Sequence, residues 1–277
     1  MRRGRAAAGP PFACPGAIWQ KEGMLALRSA VFNVLFYAYL IALMVFGLPS
    51  VLFGYRGVLR LANVWAKGSL WLLRVVCGTR VVFRGCGNIP AEPCILAAKH
   101  QSFLEIIALC SLFPDFTFVL KRELTRIPVF GWYLGRSGQI AVDRGQGRAA
   151  LQQVSRGARA VLDAGRQVFI FPEGTRRPPG APAVYKAGIS FVYSETGASC
   201  LPVAVNSGLF WPRESFLRRP GTAVIEFLPL IPAGLPRQVF QARMSEGVEA
   251  ASARLMAEAV EADPKLASLF PAGTVPA

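Results

Sequence analysis

The chain has 277 residues, 53% of them hydrophobic and 17% charged, with 31 Lys and Arg against 16 Asp and Glu for a formal charge of +15. That apolar content excludes a largely disordered chain, and the length allows one large domain or two small ones. Residues 1–100 hold 12 basic and 2 acidic side chains set around apolar sequence, which suits an anionic membrane surface; a nucleic-acid partner is not expected, since zinc-finger, RNA-recognition and basic-heptad signatures are absent.

Residues 1–23 are rich in Arg, Ala, Gly and Pro without an amphipathic period, and they read as a disordered basic leader. Met24 opens a more regular sequence and is an alternative start. From Ser29 to Tyr55 there are 27 residues without a charge, enough to cross a bilayer, which takes about 20 apolar residues. The run is too long for a signal-peptide core, and no Ala-x-Ala cleavage site follows it. Gly47 and Pro49 are placed to bend or end the helix. A second stretch, Val58 to Val76, sets Trp65, Trp71, Leu72 and Leu73 against Arg60, Lys67 and Arg74, the pattern of a helix lying in the membrane interface.

Cations flank the apolar run on both sides: Lys21 and Arg28 before it, Arg56, Arg60 and Lys67 after it. The positive-inside rule therefore draws both ends to the cytoplasm, and residues 24–78 are predicted to form a membrane-anchoring helical hairpin that re-enters on the same side. A single spanning helix and a buried soluble helix are the competing readings.

Beyond Gly78, short apolar runs alternate with helical ones. Strands are expected over Thr79–Arg84, Cys94–Ala98, Thr117–Leu120, Gln139–Val142, Val168–Phe171, Leu201–Val205 and Ala223–Phe227. Helices are expected over Phe103–Leu112, Gly147–Ala164, Val184–Ser194 and Gln238–Ala262. This alternation predicts an α/β domain over 79–265, with a mainly parallel or mixed sheet flanked by helices, and a flexible tail over 266–277. The six cysteines are scattered without a Cys-x-x-Cys pair, so no metal site is expected. Cys77, Cys94 and Cys110 sit in apolar runs and read as small hydrophobes in a reducing compartment.

Gly-x-Gly-x-x-Gly, P-loop and Gly-x-Ser-x-Gly motifs are absent, which removes the main support for dinucleotide, P-loop and ordinary serine-hydrolase chemistry. What remains are four stretches at strand ends, where open α/β sheets place their sites. The first, Lys99 to Glu105, holds His100, the one histidine of the chain. A helix starting near Ser102 would let Glu105 reach back to one ring nitrogen, leaving the other for a substrate, as a general base requires. The second is Gly138 to Gly145, with Asp143 and Arg144. The third is Phe171-Pro172-Glu173-Gly174-Thr175-Arg176. Converging arginines from these two would make an anion site. The fourth, Leu201 to Asn206, says only strand by itself.

In this order and spacing the four stretches resemble the motifs of the glycerolipid acyltransferase family, including its bacterial 1-acyl-glycerol-3-phosphate acyltransferases, from about Lys99 to Asn206. His100 falls on the histidine of the catalytic His-x-x-x-x-Asp motif, with Glu105 where the common pattern has aspartate. Arg144 matches the arginine of the second motif, Phe171 to Arg176 reproduces the third complete, and the proline-bearing fourth matches Leu201 to Asn206. Lys121 with Glu123-Leu124, and Tyr185 to Gly188, also resemble family sequence.

The resemblance implies transfer of a fatty acyl group from acyl-CoA or acyl-carrier protein to the hydroxyl of a lysophospholipid, without a cofactor. It implies His100 and Glu105 as catalytic residues, and Lys121, Arg144, Glu173, Gly174, Thr175 and Arg176 as substrate-binding ones. The membrane phospholipid surface would be a partner. The site would lie on the cytoplasmic face of the inner (plasma) membrane. A different lyso-lipid acceptor, such as a lyso-ornithine lipid, and a non-catalytic lipid binder are the alternatives.

Overall fold

The computed structural model describes residues 15–271, 274 and 275, without the side chains of residues 15–22 and Arg144. Helix α1 runs from Pro15 to Phe46 and α2 from Gly54 to Leu72, joined by a 3₁₀ turn, Leu48–Phe53. Residues 1–14, most of the expected leader, lie outside the described residues. The leader boundary moves to Pro15, because Ala17, Ile18, Trp19 and Gln20 carry no helix breaker and Pro suits a first helical turn.

The two helices lie side by side, with the Tyr39 hydroxyl donating to the Val64 carbonyl at 3.0 Å. Gly68 makes this closeness possible, since a Cβ there would fall 2.4 Å from the Tyr39 oxygen. One stripe of α1 is core: Phe32 and Phe36 are buried and pack edge-on against Trp211. Ser29 and Asn33 extend that stripe with polar ties, to the Arg218 N–H at 2.9 Å and the Phe216 carbonyl at 3.2 Å. The other faces expose Leu27, Val34, Tyr37, Ile41, Val45 and Phe46, followed by Leu52 and Phe53 in the turn.

Helix α2 differs from a simple interfacial helix. Its amphipathic pattern serves two environments: Val58, Leu59 and Ala66 are buried, while Val64, Trp71, Arg60 and Lys67 stay exposed. Asn63 fixes its inner side by donating to the Cys110 and Ser111 carbonyls at 2.9 and 3.1 Å. A π-turn, Leu73–Cys77, ends on Gly78 in the left-handed region and hands the chain to the sheet.

The expected strands form within a residue or two of their predicted ends: β1 Thr79–Arg84, β2 Ile95–Ala98, β3 Phe116–Lys121, β4 Ile140–Val142, β5 Gln167–Ile170, β6 Cys200–Val205 and β7 Gly221–Phe227. They build one mixed sheet in the order β1-β7-β6-β2-β5-β3-β4. Every pair is parallel except β6 with β7. Central strands buried on both faces read as continuous apolar runs, as β2 and β6 do. Because β6, β2, β5, β3 and β4 run the same way, their C-terminal ends share one edge of the sheet.

Helices cover both faces: α3 Leu104–Leu112, α4 Phe130–Arg136, α5 Gly147–Asp163, α6 Gly188–Thr196 and α7 Arg237–Ala262. Helix α6 starts at Gly188 rather than Val184, because the Lys186 N–H is bonded to the Pro172 carbonyl at 3.0 Å. Helix α4 is an element that the Pro128, Gly131 and Gly135 punctuation concealed. The expected flexible tail is corrected in part: a 3₁₀ turn, Pro264–Leu269, buries Leu266, and Phe270 joins the same core. Two apolar anchors hold that segment where the sequence offered only its terminal position.

Candidate active site

The shared C-terminal edge of the parallel strands gathers the four motif stretches. His100 follows β2, Lys121 ends β3, Asp143 and Arg144 follow β4, the 171–176 segment follows β5, and Asn206 with Ser207 follows β6. The register pairs Lys121 with Val142, so Lys121 and the backbone of Arg144 lie at adjacent strand ends. The Arg144 side chain lies outside what the structure describes. The Asp143 carboxylate accepts the Gly145 N–H at 3.0 Å, and Arg122 approaches it to 4.0 Å.

Glu105 reaches back from the first turn of α3, as its spacing from His100 suggests. Its Oε1 lies 2.8 Å from His100 Nδ1 and accepts the Gln101 and Ser102 N–H groups at 2.8 Å each. Oε2 accepts the Ser207 hydroxyl at 2.6 Å. The side chain is 0% exposed, and this density of donors is what a buried carboxylate needs. A carboxylate oxygen accepts, so Nδ1 carries the ring hydrogen and Nε2 is left as the basic nitrogen. Phe171 stacks on the imidazole, with ring centroids 4.1 Å apart and planes inclined by 21°.

The 171–176 segment is bound to the His100 segment through the backbone. Glu173 Oε2 accepts the His100 N–H at 2.9 Å, and the Arg177 N–H donates to the His100 carbonyl at 2.8 Å. Gly174 takes φ 68°, a left-handed conformation that favours glycine and closes the turn, its N–H bonded to the Phe171 carbonyl at 2.9 Å. Glu173 is buried, and that burial raises its carboxyl above the ordinary range; Lys99 and the His100 N–H act in the opposite direction. Thr175 is exposed and Arg176 half-buried. Arg213, from the loop after β6, donates to the Thr175 hydroxyl at 3.3 Å and the Arg176 carbonyl at 2.9 Å.

The structure brings His100, Glu105 and Glu173 into direct contact and sets Gly174, Thr175 and Arg176 in the adjoining turn. It places Lys121 exposed at the same sheet edge. Sequence reasoning missed Ser207, the Phe171 ring and Arg213 as members of this cluster. Ser207 had a signal, standing one residue after the fourth stretch. Arg213 had none, because its approach depends on how the loop after β6 folds back. Among the described residues no group of three or more His, Cys, Asp and Glu side chains is placed to hold a metal ion.

A family model described as Acyltransferase matches residues 80–206, which span this edge from β1 to the end of β6. Over 196 residues the chain is 38% identical to the 1-acyl-sn-glycerol-3-phosphate acyltransferase of Pseudomonas aeruginosa, covering 70% of this chain and 76% of that protein. The chain belongs to the acyltransferase family. This acyltransferase is also 31% identical over 201 residues to the chloroplastic 1-acyl-sn-glycerol-3-phosphate acyltransferase LPAT1 of Arabidopsis thaliana, matching 69% of its own length and 55% of the plant protein. Its fold resembles the crystal structure of the 1-acyl-sn-glycerophosphate acyltransferase from Thermotoga maritima, with a TM-score of 0.65 over 81% of this chain and 97% of that one. At 21% identity that likeness speaks for the fold alone.

Proposed function

We propose that this acyltransferase moves a fatty acyl group from a thioester, acyl-CoA or acyl-carrier protein, to the sn-2 hydroxyl of 1-acyl-glycerol-3-phosphate, giving phosphatidic acid. The observation that carries the reading is the buried His100–Glu105 pair at 2.8 Å beside a segment ending in Arg176. His100 Nε2 takes the hydroxyl proton as the oxygen attacks the thioester carbonyl. The tetrahedral intermediate then expels the thiolate, which receives that proton from the imidazolium. Glu105 fixes the tautomer and stabilises the imidazolium while it exists. Base catalysis of this kind contributes about 10²- to 10⁴-fold, and holding both substrates together supplies much of the rest. Arg144 and Arg176, with Lys121, bind the acceptor phosphate, and Glu173 to Thr175 shape the pocket.

The N-terminal helices support a reaction at a lipid surface. Gly23–Phe46 is long and apolar enough to cross a membrane, with a mean hydropathy of 2.1 in its best window. Its residues Ser29 to Phe36, however, are tied to the catalytic domain. Near the other end of the helix the Tyr133 hydroxyl of α4 donates to the Met44 carbonyl at 2.8 Å, so the length of α1 free of the domain falls well short of the roughly 30 Å hydrocarbon core. That length favours shallow insertion of α1 and the 48–53 turn over a full crossing. In this reading the chain sits on the cytoplasmic face of the inner membrane, where thioester donor and lipid acceptor meet.

The test is purified protein in phospholipid vesicles, supplied with labelled acyl-CoA or acyl-carrier protein and a panel of lyso-lipids. Labelled phosphatidic acid from lysophosphatidic acid, lost in His100→Ala, is the expected result. Preferential labelling of lyso-ornithine lipid would reassign the acceptor, and no transfer to any lyso-lipid would leave a lipid-binding role.

A further inference from the structure

Glu249 lies on α7, beyond the residues that the family model matches, yet its carboxylate reaches the residue beside the proposed base. Lys99, next to His100, is only 4% exposed, and its ammonium donates to Glu249 Oε1. The Tyr185 hydroxyl donates to the same oxygen at 2.6 Å. On its other side the Lys99 ammonium lies 3.8 Å from Glu173 Oε1. A line of polar groups thus runs from the half-buried Tyr185 and Glu249 through the buried Lys99 and Glu173 to the His100 backbone.

Glu173 Oε1 is the weak point of this line. It is a buried carboxylate oxygen without a hydrogen-bond partner, facing Lys99 at 3.8 Å and Arg177 Nε at 4.0 Å. A buried carboxylate in that condition depends on the cation beside it. Lysine is a point charge on a flexible stem, and its position is set by what its three donors meet. Here Glu249 supplies the close partner.

We infer that Glu249 is a positioning residue for acyl transfer: it holds the Lys99 ammonium against Glu173, and Glu173 in turn fixes the backbone at His100. The inference rests on the acyl-transfer reading above. Helix α7 supports the same region elsewhere, since Asn206 donates to the Leu255 carbonyl at 3.1 Å and the Ser252 hydroxyl accepts the Val205 N–H at 3.3 Å. Those bonds hold strands. The Glu249 contact holds a charge, and a charge has a signature in the pH profile.

The groups around Glu173 are Lys99 after β2, Arg177 in its own loop, the His100 N–H, Glu249 from α7 and Tyr185 before α6. Of these, Lys99 is the strongest influence favouring the ionised form, while the Glu249 charge itself acts against it. Releasing Lys99 lets Glu173 take up a proton at higher pH, which weakens its hold on the His100 N–H.

The experiment first establishes transfer to lysophosphatidic acid by the wild-type chain and its loss in His100→Ala; failure there removes the acyl-transfer reading itself. Glu249→Ala, Glu249→Gln, Lys99→Met and Lys99→Arg are then compared in the same assay. Glu249→Gln keeps the shape and an acceptor for Tyr185 while removing the charge, so it serves where Glu249→Ala does not fold. The expected result is a kcat loss on the order of 10- to 100-fold, the scale of a small misplacement of a catalytic group. KM should stay within about twofold for both substrates; in Lys99→Met, which removes the cation favouring ionised Glu173, the acid limb of the pH profile should move to higher pH. Lys99→Met should show the same loss and Lys99→Arg should retain most activity. Glu249→Gln/Lys99→Met should be no worse than Lys99→Met alone. Unchanged kcat in folded Glu249→Gln, an unmoved acid limb in Lys99→Met, or additive losses in the double variant would overturn the inference.

Discussion

Ser207 Oγ donates to Glu105 Oε2 at 2.6 Å, so the segment after β6 holds the carboxylate that orients His100. The glutamate at this position therefore serves four partners: one imidazole, two backbone N–H groups and a hydroxyl. Its extra methylene relative to aspartate lengthens its reach toward them from the first turn of α3. Glu105→Asp should lower kcat about 10- to 100-fold with little change in acceptor KM. Ser207→Ala should cost about 1–3 kcal/mol of stability through the unpaired oxygen it leaves. Steady-state kinetics and thermal melts of the two variants separate these effects, and wild-type kinetics in Glu105→Asp would show that the fourfold grip is not needed.

Phe171 directly follows core strand β5 and is the surface on which the imidazole lies. Stacked rings contribute about 0.5–1.5 kcal/mol beyond burial, and 1.36 kcal/mol is a tenfold change in rate. Phe171→Leu keeps the volume and removes the plane, so a several-fold drop in kcat without loss of fold is expected. Equal activity in a well-folded Phe171→Leu would assign the ring to packing alone.

Burial holds the Glu173 carboxyl above its usual range, with Lys99 and the His100 N–H opposing it. Its pKa is thus higher in the folded chain than in the unfolded one. The stability this linkage contributes is complete below the ordinary carboxylate pKa and is lost as pH rises through the raised value. Glu173→Gln cannot titrate, so wild type should lose stability relative to this variant as pH rises. Melting temperatures of both proteins across about pH 4 to 8 test the sign, and a difference that stays flat with pH would remove the linkage.

Phe46, Leu52 and Phe53 form an apolar tip that the domain leaves exposed, Leu52 at 86%. Burying a large apolar side chain contributes about 1.5–3 kcal/mol. Changing all three to serine should reduce partitioning into vesicles by several orders of magnitude while leaving the fold intact, because none of them packs in the core. Co-sedimentation with vesicles of increasing anionic lipid content measures this, and unchanged binding by the triple variant would move the membrane contact elsewhere.

Among the described cysteines, burial pushes the Cys77 thiol up to about 11 and Cys94 up to about 12, and raises Cys110 and Cys200 as well. Cys86 alone of these is exposed. Alkylation of the native chain should therefore modify Cys86 well before the others, as peptide mass analysis would show. Rapid labelling at Cys94 or Cys200 would mean that the central strands open readily.

The sequence by itself determined most of the local structure and the core of the site. Strands such as 79–84 and helices such as 147–163 follow from apolar period and from Gly or Pro at their ends, which are short-range properties. The spacing of five between His100 and Glu105 is likewise a local fact, because one helical turn carries the carboxylate back to the ring. The 171–176 turn is equally local, since its glycine alone favours the left-handed step it needs.

Only the tertiary structure decided which face of α1 and α2 belongs to the domain and which is free. Helix α1 is apolar almost all round, so no periodicity separates Phe32, bound by Trp211, from Val34 beside it. It also decided that Ser207, Arg213 and Glu249 meet the site, across sequence separations of 102, 38 and 150 residues to the groups they touch. Such contacts come from strand order and from where a long helix crosses the sheet. A buried charge such as Glu173 finds its partner through that packing, and the partner's place in the chain is free to be anywhere.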